Sequence, residues 1–335
     1  MKVMEQILKI LKEKRGQYVS GEMLAQSSGI TRAAIWKQLG RLRELGYVIE
    51  SSPRKGYRLV KSTLTLLPLE IQDGLDTNCF GRAIYQQAEV DSTNKMAKLL
   101  AAKGAVEGTL VIAETQTNGR GRMGRNWTST AGQGLWFSLI LRPKINMAAL
   151  AGITLLAAVS VAKAIHQVTG IQTQIKWPND ILYDGRKLVG ILAELHGEPD
   201  LVNYLVLGIG INVNQTVDDF PPELTGTAIS LKMISEEDGP LSRRLILQAI
   251  LKEFEVAYDR LTTFGITEQL AYAKLHSATL GKMVRISQGV GRFVDGQAIA
   301  LESDGSLLLK GADAEIIRIY SGDLIEKASP IISQG

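Results

Sequence analysis

The order of apolar and polar positions in residues 1–62 predicts helices followed by a two-stranded hairpin. Apolar side chains recur with a helical period twice, first near the N-terminus and again after a short turn. Ser20 and Thr31 are residue types that commonly begin helices. Residues 47–50 and 57–60 then alternate as strands do, and a turn-rich segment joins them. The apolar positions with helical spacing are Met4, Ile7, Leu8, Leu11, Ile35, Leu39, Leu42 and Leu45. This pattern is typical of a winged helix-turn-helix.

The second of these capped helices and the tip of the hairpin carry the side chains that predict a DNA interface. In this fold the second helix enters the major groove with its N-terminal half, and the wing lies beside backbone phosphate. Trp36 borders the apolar face, so a core position and a DNA contact are equally consistent with the sequence. A three-helix module that docks onto another protein is the alternative. The predicted DNA-binding residues are Ser20, Thr31, Arg32, Ala33, Trp36, Lys37, Gln38, Arg54 and Lys55.

Between residues 85 and 217, predicted strands and helices mix, and several strands follow one another without a helix between them. The predicted helices span residues 94–102 and an alanine-rich stretch that Asn146 caps and that ends near Val168. This order favours an α+β class with a mixed or antiparallel sheet over a doubly wound fold. The predicted strands are residues 108–114, 135–141, 172–177, 187–194 and 204–213.

After two amphipathic helices, at residues 241–260 and 267–276, the period becomes that of short strands. Asp295-Gly296 and Asp304-Gly305 are the predicted turns, and the spacing suggests a C-terminal SH3-like β-barrel. The predicted domains are a winged helix-turn-helix at 1–62, a linker at 63–69, a central domain at 70–277 and an SH3-like domain at 278–329.

Charge is distributed unevenly along the chain, and composition excludes some classes of protein. Residues 1–62 carry 13 Lys or Arg and 5 Asp or Glu, whereas the remainder is mildly acidic, which suggests an anionic partner at one end only. The single cysteine, Cys79, excludes a scaffold of internal disulfides, and the histidines do not stand at zinc-site spacing. The N-terminus does not resemble a signal peptide, and the longest uncharged run, residues 147–162, is too short to cross a bilayer. We therefore expect a cytoplasmic protein in which that run is a buried helix.

The densest chemical segment is Gly119-Arg120-Gly121-Arg122-Met123-Gly124-Arg125, which we call the arginine loop. It contains Gly-x-Gly-x-x-Gly, but no helix is predicted after it, and Arg125-Asn126 stands where a Walker A motif has Lys-Ser/Thr. Neither nucleotide motif therefore fits. Arginine forks onto carboxylate or phosphate oxygens, and glycine permits close backbone approach. We expect the loop to be mobile when empty and to close over an anion, with a merely solvated basic loop as the alternative.

Three further segments place polar side chains at predicted strand ends or turns. Lys176-Trp177-Pro178-Asn179-Asp180 carries a lysine, an amide and a carboxylate. Asp184-Gly185-Arg186-Lys187 is a tight turn that delivers a lysine into the next strand, and Gly208-Ile209-Gly210-Ile211-Asn212 ends an apolar strand with an amide. Each segment alone is typical of ordinary structure. Together with the arginine loop they are compatible with a cationic, glycine-lined pocket.

These motifs, in this order, resemble those of the bifunctional biotin–protein ligases and biotin operon repressors of bacteria. The resemblance covers almost the whole chain, and its most specific parts are the arginine loop and the Lys-Trp-Pro-Asn-Asp motif. Met123 departs from it, because some relatives carry a further arginine there. The matching segments are Asp91-Ser92-Thr93-Asn94, the arginine loop, residues 176–180, residues 185–192 and residues 208–212.

The resemblance implies a two-step reaction in the central domain. Biotin's carboxylate attacks the α-phosphorus of MgATP to give biotinoyl-5′-AMP, and a lysine of a biotin carboxyl carrier protein then attacks the mixed anhydride. The implied catalytic residues are Lys187 and Arg122. The implied biotin-binding residues are Ser92, Thr93, Asn94, Gln116, Arg120, Gly121, Arg122 and Lys187. The implied ATP- or adenylate-binding residues are Arg122, Arg125, Lys176, Asn179 and Asn212, and the implied Mg²⁺ ligands are Asn179 and Asp180.

The same resemblance implies regulation and partners. Adenylate that accumulates when the acceptor is scarce would order the central loops, including residues 214–230, and favour a homodimer on two-fold operator DNA. ATP, Mg²⁺ and biotin then enter as substrates, with no tightly bound prosthetic group and no membrane partner. A lipoate–protein ligase and a ligand-sensing repressor without catalysis are the two alternative functions.

Overall fold

The computed structural model describes residues 2–143, 150–198, 201–289 and 291–326 of the 335-residue chain. The chain divides into two compact units, Met1–Glu70 and Ile71–Gly335. Each unit buries apolar side chains of its own. The domain boundaries drawn from the sequence stay predictions.

Caps and periodicity explain the elements of the first unit. These elements are α1 Lys2–Glu13, α2 Gly21–Ser28, α3 Arg32–Glu44, β1 Val48–Ser52 and β2 Gly56–Lys61. The Ser20 hydroxyl accepts a hydrogen bond from the backbone N–H of Met23 (3.1 Å) at the start of α2. The Thr31 hydroxyl accepts one from Ala34 (3.3 Å) at the start of α3. Gly29 ends α2 in the left-handed region, at φ 65°. With β1 and β2 pairing antiparallel, the predicted winged helix-turn-helix is confirmed.

The apolar residues with predicted helical spacing form the core of this unit. Its most deeply buried side chains are Ile7, Leu8, Leu11, Val19, Leu24, Ile35, Leu39, Leu42 and Leu59. A short helix, α4 Pro68–Gln72, follows the hairpin. Its Glu70 is buried and accepts a hydrogen bond from the Tyr47 hydroxyl (2.7 Å) while it ion-pairs with Lys12 (2.7 Å). The pair and the hydroxyl together satisfy a carboxylate that would be costly to bury alone.

The second unit is built on a mixed β-sheet, as the sequence predicts. The strands are β3 Ile84–Val90, β4 Leu110–Gln116, β5 Leu135–Leu141, β6 Gln174–Lys176, β7 Asp180–Tyr183, β8 Arg186–Glu198 and β9 Leu201–Ile211. In the described ranges their order is β3-β4-β5-β9-β8-β7-β6. β3 and β4 pair in parallel, whereas the other pairings of this sheet are antiparallel in the part of the chain described. Two of these strands, β3 and β7, were not predicted from the sequence, and β7 brings Asp180 into the sheet.

Helices pack against this sheet. α5 Thr93–Ala102 packs against β4, β5 and β9, and α6 Leu150–Thr169 packs against β8. Three further α-helices follow in the described ranges, α7 Leu231–Ile234, α8 Arg243–Phe264 and α9 Thr267–Leu275, and α6 also packs against α8 and α9. Residues 151–169 are long and apolar enough to cross a membrane by length and composition, but most of them are buried inside the unit. This burial is what a core helix requires. The predicted cap Asn146 lies outside the described residues.

The five described strands that follow form a second sheet, in which neighbouring strands are antiparallel. They are β10 Met283–Ser287, β11 Phe293–Leu301, β12 Leu307–Lys310, β13 Ile316–Ile319 and β14 Asp323–Glu326, in the order β13-β12-β11-β10-β14. The predicted turn at Asp295-Gly296 is wrong, because β11 runs through it. Asp295 pairs across the sheet with Arg285 (2.8 Å), and a Cβ on Gly296 would lie 2.8 Å from the Lys310 carbonyl. Glycine is required there by the neighbouring strand rather than by a turn.

Candidate active site

A cavity of about 440 Å³ lies where β8 and β9, the start of α5, the arginine loop and the start of β14 meet. It brings together residues from segments that are far apart in the sequence. All the residues implied for the ligase site line it, namely Ser92, Thr93, Asn94, Gln116, Arg120, Gly121, Arg122, Arg125, Lys176, Asn179, Asp180, Lys187 and Asn212. The described lining also includes Trp127, Phe220 and Asp323, which lie outside the predicted motifs.

The start of α5 forms one wall, and buried hydrogen bonds fix its side chains. The Thr93 backbone N–H donates to Gln116 Oε1 (2.8 Å), and its hydroxyl lies 3.1 Å from the same oxygen. Ser138 Oγ lies 2.6 Å from Asn94 Oδ1, and Asn94 Nδ2 donates to Glu194 (2.7 Å). Both ends of the Asn94 amide are therefore held by the protein, which sets its orientation at the pocket. Ser138 and Glu194 lie outside every motif, and no sequence signal marked them.

The indole of Trp127 forms another part of the lining, and it lies against two glycines. A Cβ on Gly190 would lie 2.7 Å from the Trp127 ring, and a Cβ on Gly210 would lie 2.6 Å from it. Real Cβ contacts are not this short, so only glycine lets the ring lie against β8 and β9. Gly190 and Gly210, which belong to two of the predicted motifs, therefore leave space for the Trp127 ring in the pocket. Trp127 follows the arginine loop by two residues, which is the only sequence signal that could have found it.

The arginine loop is closed by its own backbone and held by side-chain contacts. The Gly121 N–H donates to the Arg125 carbonyl (2.7 Å), and the Trp127 N–H donates to Gly119 (2.9 Å). Arg122 donates to Asn179 Oδ1 (3.1 Å) and to the Gly322 carbonyl (3.0 Å). Met123 points outward, 65% exposed, at φ 55°. The departure at Met123 therefore changes the outer surface of the loop rather than the lining of the pocket.

Three ion pairs hold two arginines and a lysine at the pocket. Asp323 pairs with both Arg122 (3.7 Å) and Arg125. Burial lowers the pKa of Arg122, and the carboxylates of Asp323 and Asp180 oppose that effect. Lys187 Nζ lies 2.8 Å from Asp180 Oδ1 and 5.5 Å from the centre of the Trp127 ring. All three cations are thus kept at the cavity by acidic partners.

Local structure explains how Lys187 reaches this position. Asp184 and Gly185, at φ 49° and 72°, form the tight turn between β7 and β8, as the sequence predicts. The Lys187 N–H donates to the Thr227 carbonyl (2.7 Å), and the Ile229 N–H donates to Lys187 (3.0 Å). Lys187 is therefore fixed by its backbone on both sides while its side chain enters the cavity.

The amides assigned to the nucleotide side also make structural bonds. Asn212 is buried, and its Nδ2 donates to the Ile229 carbonyl (3.1 Å), which ties β9 to the segment that follows it. Asn179 Nδ2 donates to the Ile191 carbonyl (2.8 Å), while its Oδ1 accepts from Arg122. Among the described residues, no group of three or more His, Cys, Asp or Glu side chains could hold a metal ion.

In the first unit, the residues predicted to bind DNA lie mostly on α3 and on the wing, whereas Ser20 and Thr31 stand at the starts of α2 and α3. Arg32, Ala33 and Lys37 are exposed, and Trp36 is 68% exposed, so its ring is not part of the core. Gln38 is half-buried. At the tip of the wing Lys55 is exposed and Arg54 adopts a left-handed φ of 67°. The hydroxyls of Ser20 and Thr31 already accept helix-capping bonds.

Fold and site together define a class: a carboxylate-activating ligase of the biotin/lipoate type, joined to a helix-turn-helix unit. Residues 87–212 match the biotin/lipoate A/B protein ligase family, and residues 3–58 match a helix-turn-helix domain. The Bacillus spizizenii bifunctional ligase/repressor BirA is 42% identical over 95% of this chain and 97% of its own length. The Escherichia coli protein of the same name is 30% identical over 87% of this chain and 90% of its own. This chain belongs to the family of bifunctional biotin ligase/repressors.

A solved structure agrees with this assignment. The Aquifex aeolicus biotin protein ligase in complex with biotin and ATP is 31% identical, with a TM-score of 0.63, and the match covers 74% of this chain and all of that one.

Proposed function

We propose that this chain is an ATP-dependent biotin–protein ligase that also represses transcription in response to biotin. In the first reaction a biotin carboxylate oxygen attacks the α-phosphorus of ATP, giving biotinoyl-5′-AMP and pyrophosphate. In the second, the amine of a carrier-protein lysine attacks the acyl carbon, and AMP leaves. The observation that carries the proposal is that Lys187 and Arg122 line the same cavity as Asn94, where the biotin wall is predicted.

Cationic compensation is the central requirement of the first reaction, because two anions must meet. Lys187 and Arg122 line the cavity. In this structure Lys187 pairs with Asp180, and Arg122 pairs with Asp323. A substrate oxygen that replaces Asp180 as the partner of Lys187 would place the ammonium beside the reacting carboxylate and phosphate. Fixed cations of this kind stabilise the charge that develops in the transition state. The reaction needs no covalent nucleophile from the enzyme.

Mg²⁺ enters this proposal with the nucleotide. Magnesium is commonly bound by one or two carboxylates together with substrate phosphates rather than by a cage of protein ligands. Asp180 is the carboxylate available for it, while Asn179 Oδ1 already accepts from Arg122. When bound, the ion would neutralise charge on the triphosphate. Lys187 and Arg122 would supply the positive charge beside the reacting carboxylate and phosphate.

A biotin carboxyl carrier protein is the proposed acceptor, and the first unit is the proposed operator-binding part. The basic charge of residues 1–62 and the exposed side of α3 support binding to DNA. A homodimer that forms with bound adenylate would present two such units to a two-fold site. Carrier protein, ATP and DNA meet in the cytoplasm, which is the proposed location.

Transfer of labelled biotin to a carrier domain tests the ligase activity. The full chain is incubated with ATP and either biotin or lipoate, with Lys187→Ala and the control Lys252→Ala. Lys252 pairs with Asp76 at the surface and does not line the cavity. We expect transfer of biotin alone, and a loss of about 10²–10³-fold in Lys187→Ala, as for other transition-state donors. Transfer of lipoate instead, or full activity in Lys187→Ala, contradicts the proposal.

Gel-shift assays with operator DNA test the repressor part. Binding should strengthen when biotin and ATP are both present, and it should weaken as salt is raised, because phosphate contacts release counterions. Equal affinity with and without the two ligands would argue against control by adenylate.

A further inference from the structure

Asp323 begins β14, the last described strand of the C-terminal sheet, yet it contacts the arginine loop some 200 residues earlier in the chain. Its side chain is nearly buried, and its carboxylate pairs with Arg122 at 3.7 Å and with Arg125. No motif of the sequence includes it. Its contacts connect β14 to the arginine loop, and Asp323 lines the cavity.

The residue before it has a backbone that only glycine accommodates. Gly322 adopts φ 152°, and a Cβ there would lie 2.4 Å from the Ile286 side chain and 2.8 Å from the Ser287 carbonyl. Close packing against β10 therefore fixes this turn. It also directs the Gly322 carbonyl to Arg122 (3.0 Å), immediately before Asp323 reaches the loop.

The contact with Asp323 stabilises the arginine loop electrostatically. Three arginines within six residues repel one another, and the three glycines of the loop make an ordered conformation costly. Arg122 is also largely withdrawn from water, which lowers its pKa. One carboxylate shared by two guanidinium groups offsets both effects. Without it, Arg125, whose side chain is 68% exposed, would have no reason to stay beside Arg122.

We infer that Asp323 is a positioning residue, which holds the arginine loop over the cavity by neutralising Arg122 and Arg125. It acts through these arginines and not on a substrate, and its catalytic meaning rests on the proposed function. Removing its charge while keeping its shape, in Asp323→Asn, should release the loop. The consequence for the ligase is faster loss of the adenylate that the loop covers.

Cleavage by trypsin measures release of the arginine loop directly, because trypsin cleaves after arginine and the loop contains three arginines. The full chain, Asp323→Asn and the control Asp295→Asn are digested briefly, and cleavage between residues 120 and 126 is measured by mass spectrometry. Asp295 pairs with Arg285 at 2.8 Å in the same sheet but does not line the cavity. We expect cleavage to be about tenfold faster in Asp323→Asn, as loss of a partly buried charge partner predicts, and unchanged in Asp295→Asn.

The assay is run without ligand and again with biotin and ATP. Ligands should slow cleavage of the wild type and slow it less in Asp323→Asn, whose adenylate should also dissociate faster. Asp323→Glu, which keeps the charge, should restore slow cleavage. If Asp323→Asn does not fold, Arg125→Gln serves in its place, because it removes the exposed partner and leaves two cleavage sites.

Equal cleavage rates for wild type and Asp323→Asn without ligand would overturn the inference, whatever the enzyme does with biotin. A wild type that forms no adenylate would instead overturn the proposed function. In that case the comparison without ligand still decides whether Asp323 holds the loop.

Discussion

Gly208→Ala should damage the biotin wall of the cavity without touching a charged group. A Cβ at this position in β9 would lie 2.1 Å from Asn94 Oδ1 and 2.8 Å from its Cγ. Contacts under 3.0 Å do not occur for real Cβ atoms, so the amide must move by roughly 1 Å. The neighbouring strands fix the backbone of β9, which pairs with β5 and β8 in this region. The displacement therefore falls on the Asn94 side chain.

The magnitude follows from the bonds that this side chain makes. Asn94 is buried, at 2.6 Å from Ser138 Oγ and 2.7 Å from Glu194. A neutral hydrogen bond contributes about 0.5–1.5 kcal/mol and one to a charged group about 1.5–3 kcal/mol. The Glu194 side chain is 32% exposed, so its bond belongs at the lower end. We expect the free energy of unfolding to fall by about 2 kcal/mol.

Biotin kinetics should change more than stability does. A displacement of this size at a binding group costs about 10–100-fold, so we expect the KM for biotin to rise by that factor while the KM for ATP stays near the wild-type value. The control is Gly40→Ala in α3, because it adds the same methyl group where nothing lies within 4 Å. The reasoning is refuted if Gly208→Ala binds biotin as the control does and unfolds with the wild-type free energy.

Three further perturbations test other parts of the molecule. Thr31→Ala removes the cap of α3 and should lower the free energy of unfolding of the N-terminal unit by about 1 kcal/mol in urea titrations; Thr31→Ser should restore it. Burial raises the pKa of Asp304, but hydrogen bonds from Ser306 and Arg318 outweigh it, and the pKa lies below its ordinary value. Its stabilising effect is therefore complete above the unfolded pKa and lost as pH falls through the folded one, so Asp304→Asn should be less stable near neutral pH and lose less stability in acid; parallel acid-unfolding curves would contradict this. Trp36→Ala should leave stability within about 0.5 kcal/mol, because the ring is exposed, but should weaken operator binding in gel shifts; unchanged binding would assign Trp36 no DNA contact.

Much of the fold follows from local sequence. Helical spacing and two capping residues identify the helices around Thr31, because the cap and the apolar face act within a few residues of each other. The tight turn at Asp184-Gly185 is equally local. Where two strands approach closely, the local rule fails: Gly296 has the turn signature but lies within β11, since its reason for being glycine is a strand 14 residues further on.

The candidate site divides in the same way. Motifs identify the groups that carry charge, such as Lys187 and Arg122, because a lysine or an arginine is recognisable as a cation from its residue type alone. They identify only some of the groups that hold these cations, because Asp180 and Asn179 stand in a motif whereas Asp323 does not. Glu194 and Ser138, which hold Asn94, are like Asp323 ordinary residue types in ordinary strands, and only the fold brings them to the residues they hold.

The charged side chains of the described lining explain why the cavity attracts anions, but not how it distinguishes one anion from another. It contains five basic side chains and two carboxylates, those of Asp180 and Asp323, so a positive excess remains when both carboxylates are paired. That excess favours a triphosphate and a carboxylate alike, and it favours other polyanions equally, because a point charge does not distinguish them. Discrimination must therefore come from groups whose hydrogen bonds have fixed directions. In this cavity those groups are the amides and hydroxyls at the start of α5, where Asn94 and Thr93 are held by buried neighbours. A substitution among the cations should accordingly change how tightly anions bind, whereas one at the start of α5 should change which acid is accepted.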